Sequence, residues 1–103
     1  MTAPELTVSS DGVAMVSGDL TLHTVASLIE SGEQAIKGAD GTLMIDLADV
    51  SQFSSAGVAL ILNWLRYAQT LDVTLQIRNP PSDLPAIIDV CDLDEVFEPV
   101  LTA

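Results

Sequence analysis

Two adjacent serines, Ser54 and Ser55, stand at the entrance of a strongly apolar predicted helix and are the residues best placed for chemistry. A hydroxyl at a helix entrance accepts a hydrogen bond from a free N–H of the first turn, so either serine can cap the helix. The same N–H groups and the helix dipole stabilise negative charge, so a phosphate on Ser55 would fit there and change the surface charge. Ala56 and Gly57 keep the turn small enough for another protein to approach closely. Capping and contact with a partner both remain open as roles for this turn.

Catalysis by Ser55 as a nucleophile has little support in the sequence. The only histidine, His23, lies in a loop before the first predicted helix, and neither a second histidine nor a lysine accompanies the serines. Asp46 and Asp49 offer an acid and a base, but Asp49 is better placed to form the turn after its strand. No Cys/His cluster has metal-ligand spacing, and no glycine-rich phosphate loop occurs. We therefore expect no enzyme activity, no catalytic residue, no metal and no cofactor.

The charge balance narrows the classes of partner. Fifteen acidic residues against three basic ones give a net charge of −12. Nucleic-acid binding and binding to anionic membranes both require clustered Lys and Arg, so both are disfavoured. A partner with a basic or apolar surface is compatible with this charge, and so is a role in solubility alone. The sequence has no apolar run long enough to span a membrane and no signal-peptide pattern, so we expect a cytoplasmic protein without direct membrane insertion.

The hydrophobic pattern predicts an α/β fold that positions the serine turn between a central strand and a helix. The predicted elements are strands at 6–9 and 13–18, a helix ending at Gly38, a strand at 42–47, a helix at 55–70, a strand at 72–78 and helical segments within 82–97. This order predicts one domain, residues 1–103, with a small mixed β-sheet and helices packed on one side.

The helix at 55–70 carries more apolar surface than one face can bury. Val58, Ile61, Leu65 and Ala68 share the face expected to pack on the sheet. A second apolar group, Leu60, Trp64 and Tyr67, points away from that face and needs a cover. The cover is either a neighbouring helix, or the C-terminal turn, or a partner protein docked beside Ser55. We expect part of Trp64 or Tyr67 to be exposed.

The chain resembles the STAS domain, the fold of bacterial anti-sigma factor antagonists. The resemblance covers almost the whole chain and rests on the segments 16–20, 45–47 and 50–62. In that family an Asp precedes the phosphorylated or contacting Ser or Thr, which is Ser55 here, whereas Ser54 takes the place of the Asp. Within the family, the segments 55–62, 65–68, 75–77 and 88–94 are most similar to MlaB-type subunits of Mla phospholipid-transport ABC systems.

The resemblance implies a non-enzymatic subunit that binds the cytoplasmic ATPase of such a transporter and stabilises or regulates it. The subunit would lie at the inner membrane through this partner, would contact the permease only indirectly, and would serve outer-membrane lipid asymmetry. The alternative is an anti-sigma factor antagonist that binds a serine kinase and is phosphorylated on Ser55. Without the usual acid at Ser54, constitutive docking is favoured over a phosphorylation switch. The expected partner-binding residues are Ser54, Ser55, Ala56, Gly57, Leu60, Asn63, Trp64 and Tyr67.

Overall fold

The computed structural model describes residues 3–101 and forms four strands and four helices within them. In chain order the elements are β1 (Glu5–Val8), β2 (Val13–Leu20), α1 (Ala26–Lys37), β3 (Thr42–Phe53), α2 (Ser55–Thr70), β4 (Thr74–Arg78), α3 (Leu84–Val90) and α4 (Asp94–Phe97). The predicted order of strands and helices is confirmed, and so are the bounds of α2.

The sheet is mixed, with its strands in the spatial order β1-β2-β3-β4. β1 and β2 form the expected antiparallel hairpin, whereas β3 runs parallel to both β2 and β4. The central position of β3 brings the end of this strand, and therefore the serine turn, to the middle of one edge of the sheet. Parallel strands need a crossover connection, which α1 and α2 supply.

Alternation of buried and more exposed residues along the strands shows that one sheet face is covered by helices. On β2, Ala14 and Val16 are buried while Met15 between them is exposed. The core joins these residues to the buried faces of the helices and contains Leu43, Ile45, Leu47, Leu75 and Ile77 from the sheet and Leu28, Ile36, Val58, Ile61, Ala68, Leu84 and Phe97 from the helices. The predicted fold class is confirmed.

β3 is longer than its sequence predicts. The prediction ended the strand at Leu47 and gave Asp49 a place in a turn, but the strand continues to Phe53. Residues after Leu47 pair with the second half of β2, for example Asp49 with Ser17 and Leu20 with Phe53. The turn assignment for Asp49 is therefore wrong, because pairing with a strand about 30 residues away outweighs the local polarity of the segment.

None of the helices in residues 3–101 combines the length and hydropathy needed to cross a bilayer.

Candidate functional site

Ser54 is the residue that caps α2. Its hydroxyl oxygen accepts a hydrogen bond from the Ala56 N–H at 3.2 Å, with Ser54 in an extended backbone conformation. The same hydroxyl donates to the Leu20 carbonyl at 3.3 Å, and the Ser54 N–H donates to that carbonyl at 3.2 Å. Ser54 thus joins the end of β2 to the start of α2, and its hydroxyl is already engaged inside the domain.

Ser55 follows as the first residue of α2 and is exposed. Within residues 3–101 its side chain makes no hydrogen bond, so its hydroxyl faces the surroundings of the protein. Two N–H groups of the first turn are already bonded, that of Ala56 to the Ser54 hydroxyl and that of Gly57 to the Ser54 carbonyl at 2.9 Å. What Ser55 offers is therefore a surface hydroxyl next to a helix end.

Gly57 is small for an internal reason. A β-carbon at this position would lie 2.6 Å from Cε1 of Phe53, the last residue of β3. Gly57 is itself buried, so its lack of a side chain lets the Phe53 ring cover the start of α2. This internal contact with Phe53 accounts for the glycine, and the close approach of another protein at Ala56 and Gly57 stays a prediction.

The second apolar group of α2 is covered by α1 over most of its extent. Trp64 is completely buried, its indole lies against Gly32, and its ring N–H donates to the Ile29 carbonyl at 3.3 Å. Leu60 is buried as well. Of the alternatives left open by the sequence, the neighbouring helix is the cover. Leu60 and Trp64 therefore support the surface from below and are not exposed contacts.

Tyr67 and Asn63 remain partly accessible on α2. The sequence predicts that part of Trp64 or Tyr67 is exposed. Tyr67 is partly exposed, whereas Trp64 is not. The Asn63 side-chain amide donates to the Glu33 carboxylate at 3.5 Å, which links α2 to α1 at the surface. Ser55, Ala56, Asn63 and Tyr67 thus keep surface atoms along one helix.

An apolar groove of about 250 Å³ opens at Ala56, the residue that follows Ser55 in the first turn of α2. It lies between the start of α1 and the first half of α2, and its lining consists of Leu22, Val25, Ile29, Ala56, Ala59, Leu60 and Asn63. Leu22 has 77% of its surface exposed and Ile29 has 39%, so both present apolar surface at the groove. The small alanines of α2 leave a depression between these larger residues.

Sequence reasoning missed the α1 side of this groove. The helical spacing of Val25, Leu28, Ile29 and Ile36 predicts one shared apolar face for this helix, but of these four only Leu28 and Ile36 are buried. The spacing carried no signal of this, because at about 100° per residue Val25 falls within the arc of the buried positions 28, 32 and 36, and Ile29 lies only about 20° beyond Ile36. Leu22, in the loop before α1, had no periodic signal.

Asp46 is bound within the domain and is not available as a catalytic acid or base. One carboxylate oxygen accepts hydrogen bonds from the Ala48 N–H at 2.9 Å and the Asn79 side chain at 3.2 Å, and the other accepts from Arg78 Nε at 3.0 Å. The Ala48 N–H above all, with Arg78 and Asn79, lowers the pKa of Asp46 below 3.8, although burial opposes the shift. This cluster ties the end of β4 to the middle of β3.

Within residues 3–101, no three His, Cys, Asp or Glu side chains are grouped so that they could hold a metal ion. In the same range, His23 makes no side-chain hydrogen bond to either serine. Among the described residues, Ser55 therefore has no hydrogen-bonded base of the kind that activates a serine nucleophile.

Solved structures of anti-sigma factor antagonists share this fold. The unphosphorylated form of the antagonist SpoIIAA has a TM-score of 0.71 and 21% identity, covering 97% of this chain and 86% of its own. Its phosphorylated form, described as a Bacillus cell fate determinant, has a TM-score of 0.69 and 21% identity, and the match covers 97% of this chain and 89% of the other. An anti-sigma factor antagonist from Mycobacterium paratuberculosis has a TM-score of 0.70 and 19% identity, and the match covers 98% of this chain and 85% of the other. A comparison with curated proteins returned no match.

Family membership comes from the sequence itself. Residues 6–102 match the family described as "Mlab, STAS domain", which leaves only a few residues at either end outside the match. Domains of this kind generally act by binding other proteins and not as enzymes. The strand, the serine turn and the helix after it all lie inside the matched region. The chain therefore belongs to the MlaB-type STAS domain family.

Proposed function

We propose that this protein is the STAS subunit of an Mla-type phospholipid-transport ABC complex, in which it binds the cytoplasmic ATPase and stabilises or regulates it. The observation that carries the proposal is the apolar groove that begins beside the exposed Ser55. Apolar side chains such as Leu22 and Ile29 become favourable contacts when a partner removes them from water. The family match supplies the class of transporter.

The docking surface in this proposal consists of the groove together with the exposed residues of α2 that adjoin it. Ser55 and Ala56 stand at one end, and Asn63 and Tyr67 continue along the helix. Ser54, Gly57, Leu60 and Trp64 hold this surface in shape from inside. A net charge of −12 favours a basic rim on the ATPase face that surrounds the apolar contact.

The ATPase determines where the protein acts. A subunit bound to the cytoplasmic side of the transporter lies at the inner membrane without inserting into it. Its contact with the permease would then be indirect, and the complex would move phospholipids to maintain outer-membrane asymmetry. No catalytic step is assigned to this chain in the proposal.

An anti-sigma factor antagonist is the second candidate function, and the surroundings of Ser55 favour it specifically. The Ser55 hydroxyl is exposed and is not needed as a cap, so a kinase could phosphorylate it without breaking the start of α2. The phosphate would stand at the positive end of the helix dipole. The engagement of Ser54 in place of an acid is the feature that ranks this function second.

Affinity capture distinguishes the two functions. The tagged protein, expressed at its natural level in its own bacterium, would be isolated with its partners and identified by mass spectrometry. We expect an ABC ATPase and its permease, with unmodified Ser55. Recovery of an anti-sigma factor kinase, together with phosphate on Ser55, would refute the transporter proposal and establish the alternative.

A further inference from the structure

A second groove, of about 370 Å³, lies on a different part of the molecule from the surface beside Ser55. It is formed by α3, α4 and the segment that follows α4, and it shares no lining residue with the first groove. Four apolar residues and two acidic ones line it, namely Pro85, Ile88, Phe97, Leu101, Asp94 and Glu98.

The floor of this groove is a fixed part of the fold. Ile88 and Phe97 belong to the hydrophobic core, with 3% and 0% of their surfaces exposed. The segment after α4 is held against the edge of the sheet, where the Ile77 N–H donates to the Val100 carbonyl at 2.6 Å and Leu101 forms a bridge with Ile77. A partner would therefore meet a preformed groove and would not have to order it, which lowers the cost of binding.

The two helices around the groove also present apolar side chains outward. Val90, at the end of α3, has 85% of its surface exposed, and Val96 in α4 has 45% exposed. Neither valine lines the groove, so both are single exposed residues, and the case for a binding site rests on the groove itself.

Charge identifies the kind of occupant. Residues 79–101 contain six acidic side chains, all exposed, and no Lys, Arg or His, so half of the net charge of −12 is concentrated there. A second copy of this chain would bring the same negative charge and be repelled, and an anionic lipid surface would be repelled as well. A segment that carries Lys or Arg beside its apolar residues would instead be attracted.

We propose that the groove between α3 and α4 binds a basic, amphipathic segment of a partner protein, whose apolar side chains pack on Pro85 and Leu101 above the buried floor while Lys or Arg pair with Asp94 and Glu98. This site is separate from the one proposed for the ATPase beside Ser55, so the protein can hold two partner segments at once.

Nuclear magnetic resonance with a defined peptide tests the proposal. The ¹⁵N-labelled protein would be titrated with an amphipathic helical peptide made only of leucine and lysine. Two control peptides carry glutamate in place of lysine, or serine in place of leucine. We expect shifts of the amides of Ile88, Asp94 and Glu98 with the leucine–lysine peptide alone. No binding, equal binding of the serine–lysine peptide, or shifts confined to the groove beside Ser55 would overturn the proposal.

Two matched double variants test whether the peptide recognises Asp94 and Glu98 specifically or only the net negative charge of the protein. Asp94→Asn with Glu98→Lys raises the net charge by three, and so does Asp11→Asn with Asp40→Lys at exposed positions elsewhere. We expect the first pair to weaken peptide binding by about tenfold and the second by less than about twofold. Equal weakening by both pairs would overturn the proposal. Thermal melting would first establish that both variants are folded.

Discussion

Ser54 and Ser55 are adjacent hydroxyls with different surroundings, and this difference decides their roles. Ser54 accepts from the Ala56 N–H and donates to the Leu20 carbonyl, whereas Ser55 faces outward. The sequence predicts that one of them caps α2, but the choice depends on where the Leu20 carbonyl lies, which is set by strand pairing. Local pattern alone leaves that choice open.

Replacement of each serine by alanine should separate the cap from the contact. We expect Ser54→Ala to lower the free energy of unfolding by about 1–2 kcal/mol, because α2 loses its cap. Ser55→Ala should change the free energy of unfolding by less than about 0.5 kcal/mol, as for an exposed substitution. Urea denaturation of both variants measures the difference, and an equal loss in the two would contradict the assignment of the cap.

The Asp46 cluster predicts a specific dependence of stability on pH. Because the pKa of Asp46 is lowered in the folded protein, the folded state binds fewer protons there than the unfolded state. The resulting stabilisation is present above the ordinary pKa of 3.8 and is lost as the pH falls through the lower folded-state value.

Asp46→Asn tests this dependence. Asp49→Asn is the control, because it removes an exposed carboxylate on the same strand. Asp46→Asn should be less stable than the wild-type protein at neutral pH, and the gap should narrow as the medium becomes more acidic than pH 3.8. Denaturation curves at several pH values give this gap. A gap that stays constant with pH would show that Asp46 contributes no pH-dependent stability.

Close packing of α1 against α2 supports the surface beside Ser55. A β-carbon on Gly32 would collide with the Trp64 ring, whereas one on Gly38 at the end of α1 would have its nearest atoms at 3.6 Å or more. The absence of a side chain at Gly32 therefore lets the two helices approach, with Trp64 filling the space between them.

Gly32→Ala should destabilise the protein and move Trp64. The collision should cost about 1–3 kcal/mol, against a gain of about 0.5–1 kcal/mol from the better helix propensity of alanine. Trp64 is the only tryptophan, so a red shift of its fluorescence reports its exposure. Gly38→Ala is the matched control and should leave the spectrum unchanged. An unshifted spectrum in Gly32→Ala, with wild-type stability, would show that the contact is not tight.

The order and type of the elements could be predicted from periodicity, and the bounds of α2 agree with the structure. The length of β3 could not, because its polar second half is a strand only through pairing with β2. The burial of Trp64 likewise depends on Gly32, which lies 32 residues earlier in the chain. The α1 side of the groove could not be predicted, because Val25 and Ile29 share the helical spacing of the buried residues Leu28 and Ile36.

The strong negative charge of the whole molecule should affect the rate of association with a partner more than the rate of dissociation. If the ATPase presents a basic rim, the association rate constant should fall several-fold over about a tenfold rise in ionic strength, while dissociation changes less. Stopped-flow or surface plasmon resonance measurements would give both constants. An association rate that does not depend on salt would argue that charge serves solubility alone.

The central claim is that the surface beside Ser55 binds the transporter ATPase. The most direct test is the dissociation constant between purified ATPase and three forms of this protein, measured by calorimetry. Ser55→Arg places a large charge at the groove, and Gln69→Arg adds the same charge near the far end of α2. Melting curves would first show that both variants are folded.

Ser55→Arg should weaken binding by about 100-fold or more, because the arginine blocks the groove, whereas Gln69→Arg should stay within about threefold of the wild-type protein. A folded Ser55→Arg variant that binds the ATPase with the wild-type dissociation constant would contradict the claim.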